Sequence, residues 1–100
     1  MTGVQTCALP ICTAIAPTFG TTTFTGNVLP NTDNTHNLGS ATTRWANIYT
    51  ADLQMNNVGT GGNEVDGTEG KWTLQEGEDD VYMINRKTGK KYKMMLQEVS

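Results

Sequence analysis

The sequence predicts a mainly β protein, in which extended fibre-like strands are followed by a C-terminal three-stranded antiparallel meander. Apolar and polar residues alternate along residues 71–100, in runs that Gly and Asp clusters bound. Only 36% of the residues are hydrophobic and 17% are charged, because Thr, Asn and Gly are abundant. A chain of this size and composition buries little core alone. We therefore expect extended strands that neighbouring chains stabilise.

Residues 2–11, TGVQTCALPI, resemble the translation of a common sequencing-library adapter. We expect residues 1–12 to be a disordered artefact of that adapter. Residues 13–100 are then the C-terminal fragment of a longer protein, from a metagenomic read. This interpretation leaves Cys7 and Cys12 without a structural role. The apolar run around them lacks a basic region and is too short to span a membrane, so it is not a secretory signal.

Residues 13–56 are predicted to form an extended β segment. Its first strand runs from about Thr22 to Leu29, where apolar and polar side chains alternate, and it ends at Pro30 because proline cannot donate to a ladder. A second strand is predicted over 46–55 from its β-branched and aromatic residues. A helical turn at 41–45 is expected before it. A short helix over 41–53 is the alternative, because Trp45, Ile48 and Tyr49 also fit helical spacing.

Two polar segments are predicted to be loops. Residues 31–40, NTDNTHNLGS, carry side chains that favour turns. An oxygen-rich cation site is the alternative there, but the acidic ligands of a calcium loop are missing. Residues 57–70 are predicted to be a flexible Gly-rich connector. Their GTGG run lacks the Lys-Ser/Thr and the strand–helix context of a phosphate loop.

Residues 71–100 are predicted to form the meander that caps the chain. The segment from Arg86 to Lys90 suits a three-residue hairpin loop closed by a bulge, with Gly89 at the positive-φ position. That loop predicts the register. The pairs are Ile84 opposite Tyr92, Met83 opposite Lys93, and Tyr82 opposite Met94. One apolar face would then hold the following side chains: Trp72, Leu74, Tyr82, Ile84, Tyr92, Met94 and Leu96.

The sequence offers no catalytic constellation, and we expect no enzyme, cofactor or metal site. The chain has one histidine, His36, and its two serines lie in a loop and at the terminus. The acidic run from Glu76 to Asp80 is interpreted as a solvated turn. The net charge of −3 makes nucleic acid an unfavourable partner, and no segment predicts membrane insertion. The basic cluster at 86–93 is interpreted as a solvated hairpin tip.

Large side chains along both segments are the candidates for a subunit interface or for stacking on a ligand. Core or interface packing is the more common role of such residues in a small chain. The candidates are Trp45, Tyr49, Leu53, Trp72, Tyr82 and Tyr92.

Two stretches resemble tail-fibre and related virion proteins of tailed bacteriophages, especially marine ones. The first is GNVLPNTDNTHNLGSATTRWANIYTADLQ, at 26–54, within which residues 29–49 carry the likeness to the distal parts of such fibres. The second is WTLQEGEDDVYMINRKTGKKYKMML, at 72–96. The resemblance implies a homotrimer in the phage tail, other tail proteins as neighbours, and a host-surface glycan or protein as receptor. Many relatives carry a self-cleaving chaperone domain after the first segment, for which this chain has no room.

We therefore expect a structural and attachment component of a phage tail fibre. A small monomeric carbohydrate-binding module, with exposed Trp residues as stacking platforms, is the alternative. A fragment of a polysaccharide-degrading enzyme is a third hypothesis.

Overall fold

The structure, a computed structural model, describes residues 18–100. The interpretation of residues 1–12 lies outside the described residues. Two compact units divide the chain between Ser40 and Ala41. Within the described part, all regular secondary structure is β, and its four strands form one antiparallel sheet. The predicted mainly β class with a C-terminal meander is confirmed.

The described part of the first unit, residues 18–40, forms turns and irregular chain. The strand predicted over 22–29 is absent from the single chain: among residues 18–100 those residues pair with no other strand, and a strand needs a ladder partner for its backbone groups. The turn predicted within 31–40 is confirmed. There Asn34 has a φ of 51°, and the Thr35 hydroxyl donates to the Asp33 carbonyl at 2.9 Å.

The second unit contains the sheet, with its strands in the order β1-β2-β3-β4. The strands are β1 (Asp52–Asn56), β2 (Lys71–Glu76), β3 (Val81–Asn85) and β4 (Lys91–Lys93). The three predicted strands of the meander are β2, β3 and β4, and β1 extends their sheet because it pairs with β2 across the 57–70 segment. Strand β1 also begins later than predicted, and residues 41–53 contain neither the helical turn nor the helix.

One face of the sheet carries most of its large apolar side chains. Leu53 lies opposite Leu74, Met55 lies opposite Trp72, and Leu74 lies opposite Met83. Side chains directly opposite each other share a face. We define the apolar face by these residues: Leu53, Met55, Trp72, Leu74, Val81, Met83, Tyr92 and Met94.

The predicted register of the last hairpin is wrong by one residue. Met83 lies opposite Tyr92, Ile84 opposite Lys91, and Tyr82 opposite Lys93. A slip of one residue moves every side chain of a strand to the other face. Tyr82 and Ile84 therefore leave the predicted apolar face, and Met83 joins it.

The most buried side chains lie on the opposite face, which we call the polar face. Thr73 is 0% exposed and Ile84, directly across from it, is 7% exposed. The Thr73 hydroxyl donates to Gln54 Oε1 at 2.6 Å and accepts from Arg86 Nε at 2.9 Å. These bonds join β1, β2 and the end of β3.

Among residues 18–100, no helix has the length and the apolar character that crossing a membrane would require.

Candidate functional site: a groove between two capped turns

A groove of about 790 Å³ opens on the apolar face, near the end of the sheet where β1 and β3 finish. Its floor contains Trp72 and Tyr92, whose ring centroids lie 5.7 Å apart at an interplanar angle of 43°. Met55, Met83 and Met94 extend the apolar surface around the rings. The polar rim consists mainly of Asn57, Asn63, Thr68, Asn85 and Lys87. Lys93 also lines the groove, but its register places its side chain on the polar face.

The turn between β3 and β4 forms one side of this rim. Asn85 and Lys90 close it, because the Asn85 N–H donates to the Lys90 carbonyl at 2.9 Å. The Gly89 N–H donates to the Asn85 carbonyl at 2.7 Å. Asn85 Oδ1 accepts the N–H groups of Lys87 and Thr88, at 2.9 and 3.3 Å. The Asn85 side chain therefore caps the turn from inside.

This geometry explains the error in the predicted register. The Arg86 N–H donates to the Lys71 carbonyl of β2 at 2.7 Å. It is therefore unavailable to close the hairpin with Lys90, as a three-residue loop would require. The loop contains one residue more than predicted. Gly89 nevertheless has a φ of 78°, so its predicted left-handed conformation is confirmed.

A second turn with the same hydrogen-bond pattern lies on the other side of the groove. The Asn63 N–H donates to the Thr68 carbonyl at 3.0 Å, and the Gly67 N–H donates to the Asn63 carbonyl at 3.1 Å. Asn63 Oδ1 accepts the N–H groups of Val65 and Asp66, at 2.7 and 3.0 Å. Gly67 has a φ of 74°.

The two turns share a sequence pattern that spacing alone makes visible. NEVDGT at 63–68 and NRKTGK at 85–90 each place Asn first, a short hydrogen-bonding side chain fourth and Gly fifth. The fourth side chain, Asp66 or Thr88, accepts the N–H of the sixth residue, at 3.1 and 3.2 Å. This N-x-x-[D/T]-G-x pattern was the observation that could have predicted both turns and the register.

Asp66 is the described residue whose pKa clearly departs from its ordinary value. The Thr68 backbone N–H, then the Thr68 hydroxyl and the Asn63 amide, donate to its carboxylate and lower its pKa from the ordinary value of an aspartate. Hydrogen bonds to the charged form stabilise that form. These donors therefore favour the ionised carboxylate and hold it in the turn.

The segment 57–70, predicted to be a flexible connector, is tied together by hydrogen bonds. At its base, the Asn57 N–H donates to the Gly70 carbonyl at 3.2 Å, and the Gly70 N–H donates to Asn57 Oδ1 at 2.7 Å. Glu69 Oε2 accepts the N–H groups of Gly59 and Gly61, at 2.9 and 3.2 Å. The segment thus forms a structured wall of the groove.

A lysine joins this wall to the other turn. Lys87 Nζ, in the β3–β4 turn, donates to the backbone carbonyl of Glu69 at 3.0 Å. This contact between residues far apart in the sequence links the two sides of the groove.

The predicted site residues fall into three groups. Trp72, Tyr92 and Leu53 share the apolar face, and the first two form the floor of the groove. Tyr82 lies on the polar face. Trp45 and Tyr49 precede the sheet and are exposed. Their role in an interface or in ligand stacking stays a prediction. The amides and the lysine of the rim were missed, since the sequence assigned them to loops.

The groove is suited to binding. Glu69 is the one acidic residue among those lining it, and its carboxylate already accepts two backbone N–H groups. Among residues 18–100, no cluster of three or more His, Cys, Asp or Glu side chains is arranged to hold a metal ion. His36 lies in the first unit, where its Nε2 is 2.8 Å from Asn31 Oδ1.

No family model, no curated protein and no solved structure matches this chain.

Proposed function

We propose that this chain is a non-enzymatic structural and attachment component of a phage tail fibre or similar virion appendage. It would assemble as a homotrimer, contact other tail proteins and contribute to recognition of a host-surface glycan or protein. The observation that carries this proposal is the small size of the hydrophobic core within a single chain. Within residues 18–100, Ile84 is the one large apolar side chain that is buried.

Many large apolar side chains are instead exposed, both before the sheet and on it. Before the sheet they are Phe19, Phe24, Val28, Leu29, Leu38, Trp45, Ile48 and Tyr49. Burying apolar surface contributes about 25 cal/mol per Å². A small chain that leaves this much apolar surface exposed gains most by association with copies of itself. Assembly therefore supplies the core that the single chain lacks.

The segment before the sheet supports a fibre in particular. Residues 41–51 contain no strand, and their backbone forms no ladder in the single chain. Intertwined chains would supply ladder partners and would cover Trp45, Ile48 and Tyr49 at once. The resemblance of residues 29–49 to tail-fibre segments agrees with this arrangement.

The test is the solution mass, measured by light scattering on a sizing column for the full chain and for residues 13–100. We expect three times the chain mass of 10.9 kDa for the full chain. A trimer would make Trp45, Tyr49 and Leu53 the first interface residues to mutate. A folded monomer would contradict the proposal.

A monomeric carbohydrate-binding module is the second candidate, and the paired rings of Trp72 and Tyr92 favour it. Aromatic faces are apolar and flat, while the groove rim is polar. A folded monomer that binds sugar saturably would favour this candidate over the fibre.

A further inference from the structure

The lining of the groove offers one ammonium group. The net charge is −3, yet five of the seven Lys and Arg residues lie within residues 86–93, a segment without Asp or Glu. One of them, Lys87, offers its ammonium to the groove. Lys91 and Lys93 lie on the polar face, opposite Ile84 and Tyr82. The one acidic lining residue, Glu69, has its Oε2 bonded to two backbone N–H groups. Lys87 therefore gives the groove one cationic donor for an acidic group of a ligand.

The rim offers hydrogen-bond donors. Asn57 Oδ1 accepts the Gly70 N–H, and Asn85 Oδ1 accepts the N–H groups of Lys87 and Thr88. Because these oxygens are engaged, the amide NH₂ group is the polar part of each side chain that remains for a ligand. Amide and ammonium donors suit carboxylate and hydroxyl oxygens, and charge-assisted bonds are the stronger ones.

The floor selects a ligand with a flat apolar side. The Trp72 and Tyr92 rings are tilted by 43° and form a shallow aromatic surface. A pyranose ring presents a face of C–H groups that fits such a surface, and its rim of hydroxyls reaches outward to polar groups. A peptide of acidic residues also carries carboxylates, but its side chains contain no ring that could stack on Trp72 and Tyr92.

We propose that the groove binds a carboxylated saccharide of the uronic-acid class, with its ring on Trp72 and Tyr92 and its carboxylate toward Lys87. The inference rests on the proposed attachment role, whose receptor class it narrows. The two capped turns and the Lys87–Glu69 bond hold the rim in place before a ligand arrives. This preorganisation lowers the entropy lost on binding.

The experiment uses tryptophan fluorescence of the full chain carrying Trp45→Phe. Trp72 is then the sole tryptophan, and its emission reports on the groove. We titrate trigalacturonic acid and, as its neutral counterpart, galactotriose. We expect saturable binding of the acid, at least about tenfold tighter than the neutral sugar, and weaker binding at high salt. Equal affinities, or no change in emission with either sugar, would overturn the proposal.

Matched lysine variants test the site of binding. Lys87→Gln removes an ammonium that lines the groove, and we expect about tenfold weaker binding of trigalacturonic acid. Lys71→Gln removes an exposed ammonium on the polar face and should leave the affinity unchanged. Equal losses in both variants would overturn the proposal, because they would reduce it to general charge attraction.

Two further measurements separate the alternatives. Hexaglutamate carries charge without rings, so binding as tight as that of trigalacturonic acid would overturn the choice of a saccharide. Tyr92→Leu tests the floor without removing the reporting tryptophan, and we expect about tenfold weaker binding. The solution mass stays independent of these results. A monomer that binds would contradict only the fibre proposal, and a trimer that does not bind would contradict only this inference.

Discussion

Gly89 occupies a backbone conformation that other residues adopt at an energetic cost. Its φ is 78°, and a Cβ built at this position would meet no atom within 4 Å. The cost of Gly89→Ala is therefore conformational and involves no clash. We expect a loss of about 1 kcal/mol in the free energy of unfolding, and a lower Tm.

Gly26→Ala is the matched control, because a Cβ there also meets nothing within 4 Å and its φ is outside the left-handed region. It should leave the Tm unchanged. An unchanged Tm in Gly89→Ala would contradict the turn assigned here.

Thr73 is fully buried, and its hydroxyl connects side chains of three successive parts of the sheet. It donates to Gln54 and accepts from Arg86. Thr73→Val keeps the shape but leaves both partners without that bond, so we expect about 1–2 kcal/mol of destabilisation in a denaturant titration. Thr25→Val, at an exposed threonine, should change stability little. Equal effects of the two substitutions would show that the Thr73 hydroxyl has no bonding role.

At the scale of elements, removing the capping asparagine should have the same kind of effect in each of the two capped turns. Asn85→Ala removes the acceptor of the Lys87 and Thr88 N–H groups, and we expect a loss of about 1 kcal/mol, as for other side-chain caps. Hydrogen exchange of these two amides should accelerate. Asn63→Ala should do the same to Val65 and Asp66 while leaving the β3–β4 turn protected. Unchanged exchange at Lys87 in Asn85→Ala would refute the cap.

The same turns show how far local chemistry predicts the sheet. Alternation located β2 and β3, since their apolar and polar side chains fall on opposite faces. The register did not follow from alternation, because Val81–Asn85 is apolar at nearly every position and either face could be the apolar one. The Asn85 side chain, which caps the β3–β4 turn, decided between the two possible registers of β3 and β4. Recognition of a capping Asn therefore carries more information about register than hydrophobicity does in such a strand.

Across the whole molecule, the sequence predicted the class better than the extent of the strands. Residues 22–29 alternate as a strand should, yet they have no partner strand within the described residues. Pairing between strands depends on residues far apart in the sequence. Alternation is local and shows only which side chains of one segment would share a face. The groove was beyond prediction for the same reason. Its walls come from segments that look like separate loops until β1 pairs with β2 and Lys87 reaches Glu69.

Exposed apolar residues before the sheet should therefore decide assembly. We expect the double substitution Ile48→Ser and Tyr49→Ser to convert the proposed trimer to a monomer, because it removes two of the side chains that neighbouring copies would cover. Light scattering measures the mass, and far-UV circular dichroism checks that the sheet stays folded.

Val65→Ser is the matched control for this prediction. Val65 is 95% exposed, against 94% for Tyr49, but it lies within a capped turn whose hydrogen bonds are already made. Serine at position 65 should leave the mass of a trimer intact. Dissociation by Val65→Ser alone would place the interface on the loops beside the groove. A trimer that survives the double substitution would exclude residues 48 and 49 as its main contact. Exposure alone cannot predict such contacts, because Val65 and Tyr49 are equally exposed. The two residues differ in their backbone: the turn around Val65 already has its hydrogen bonds, whereas the segment around Tyr49 belongs to no strand of the sheet.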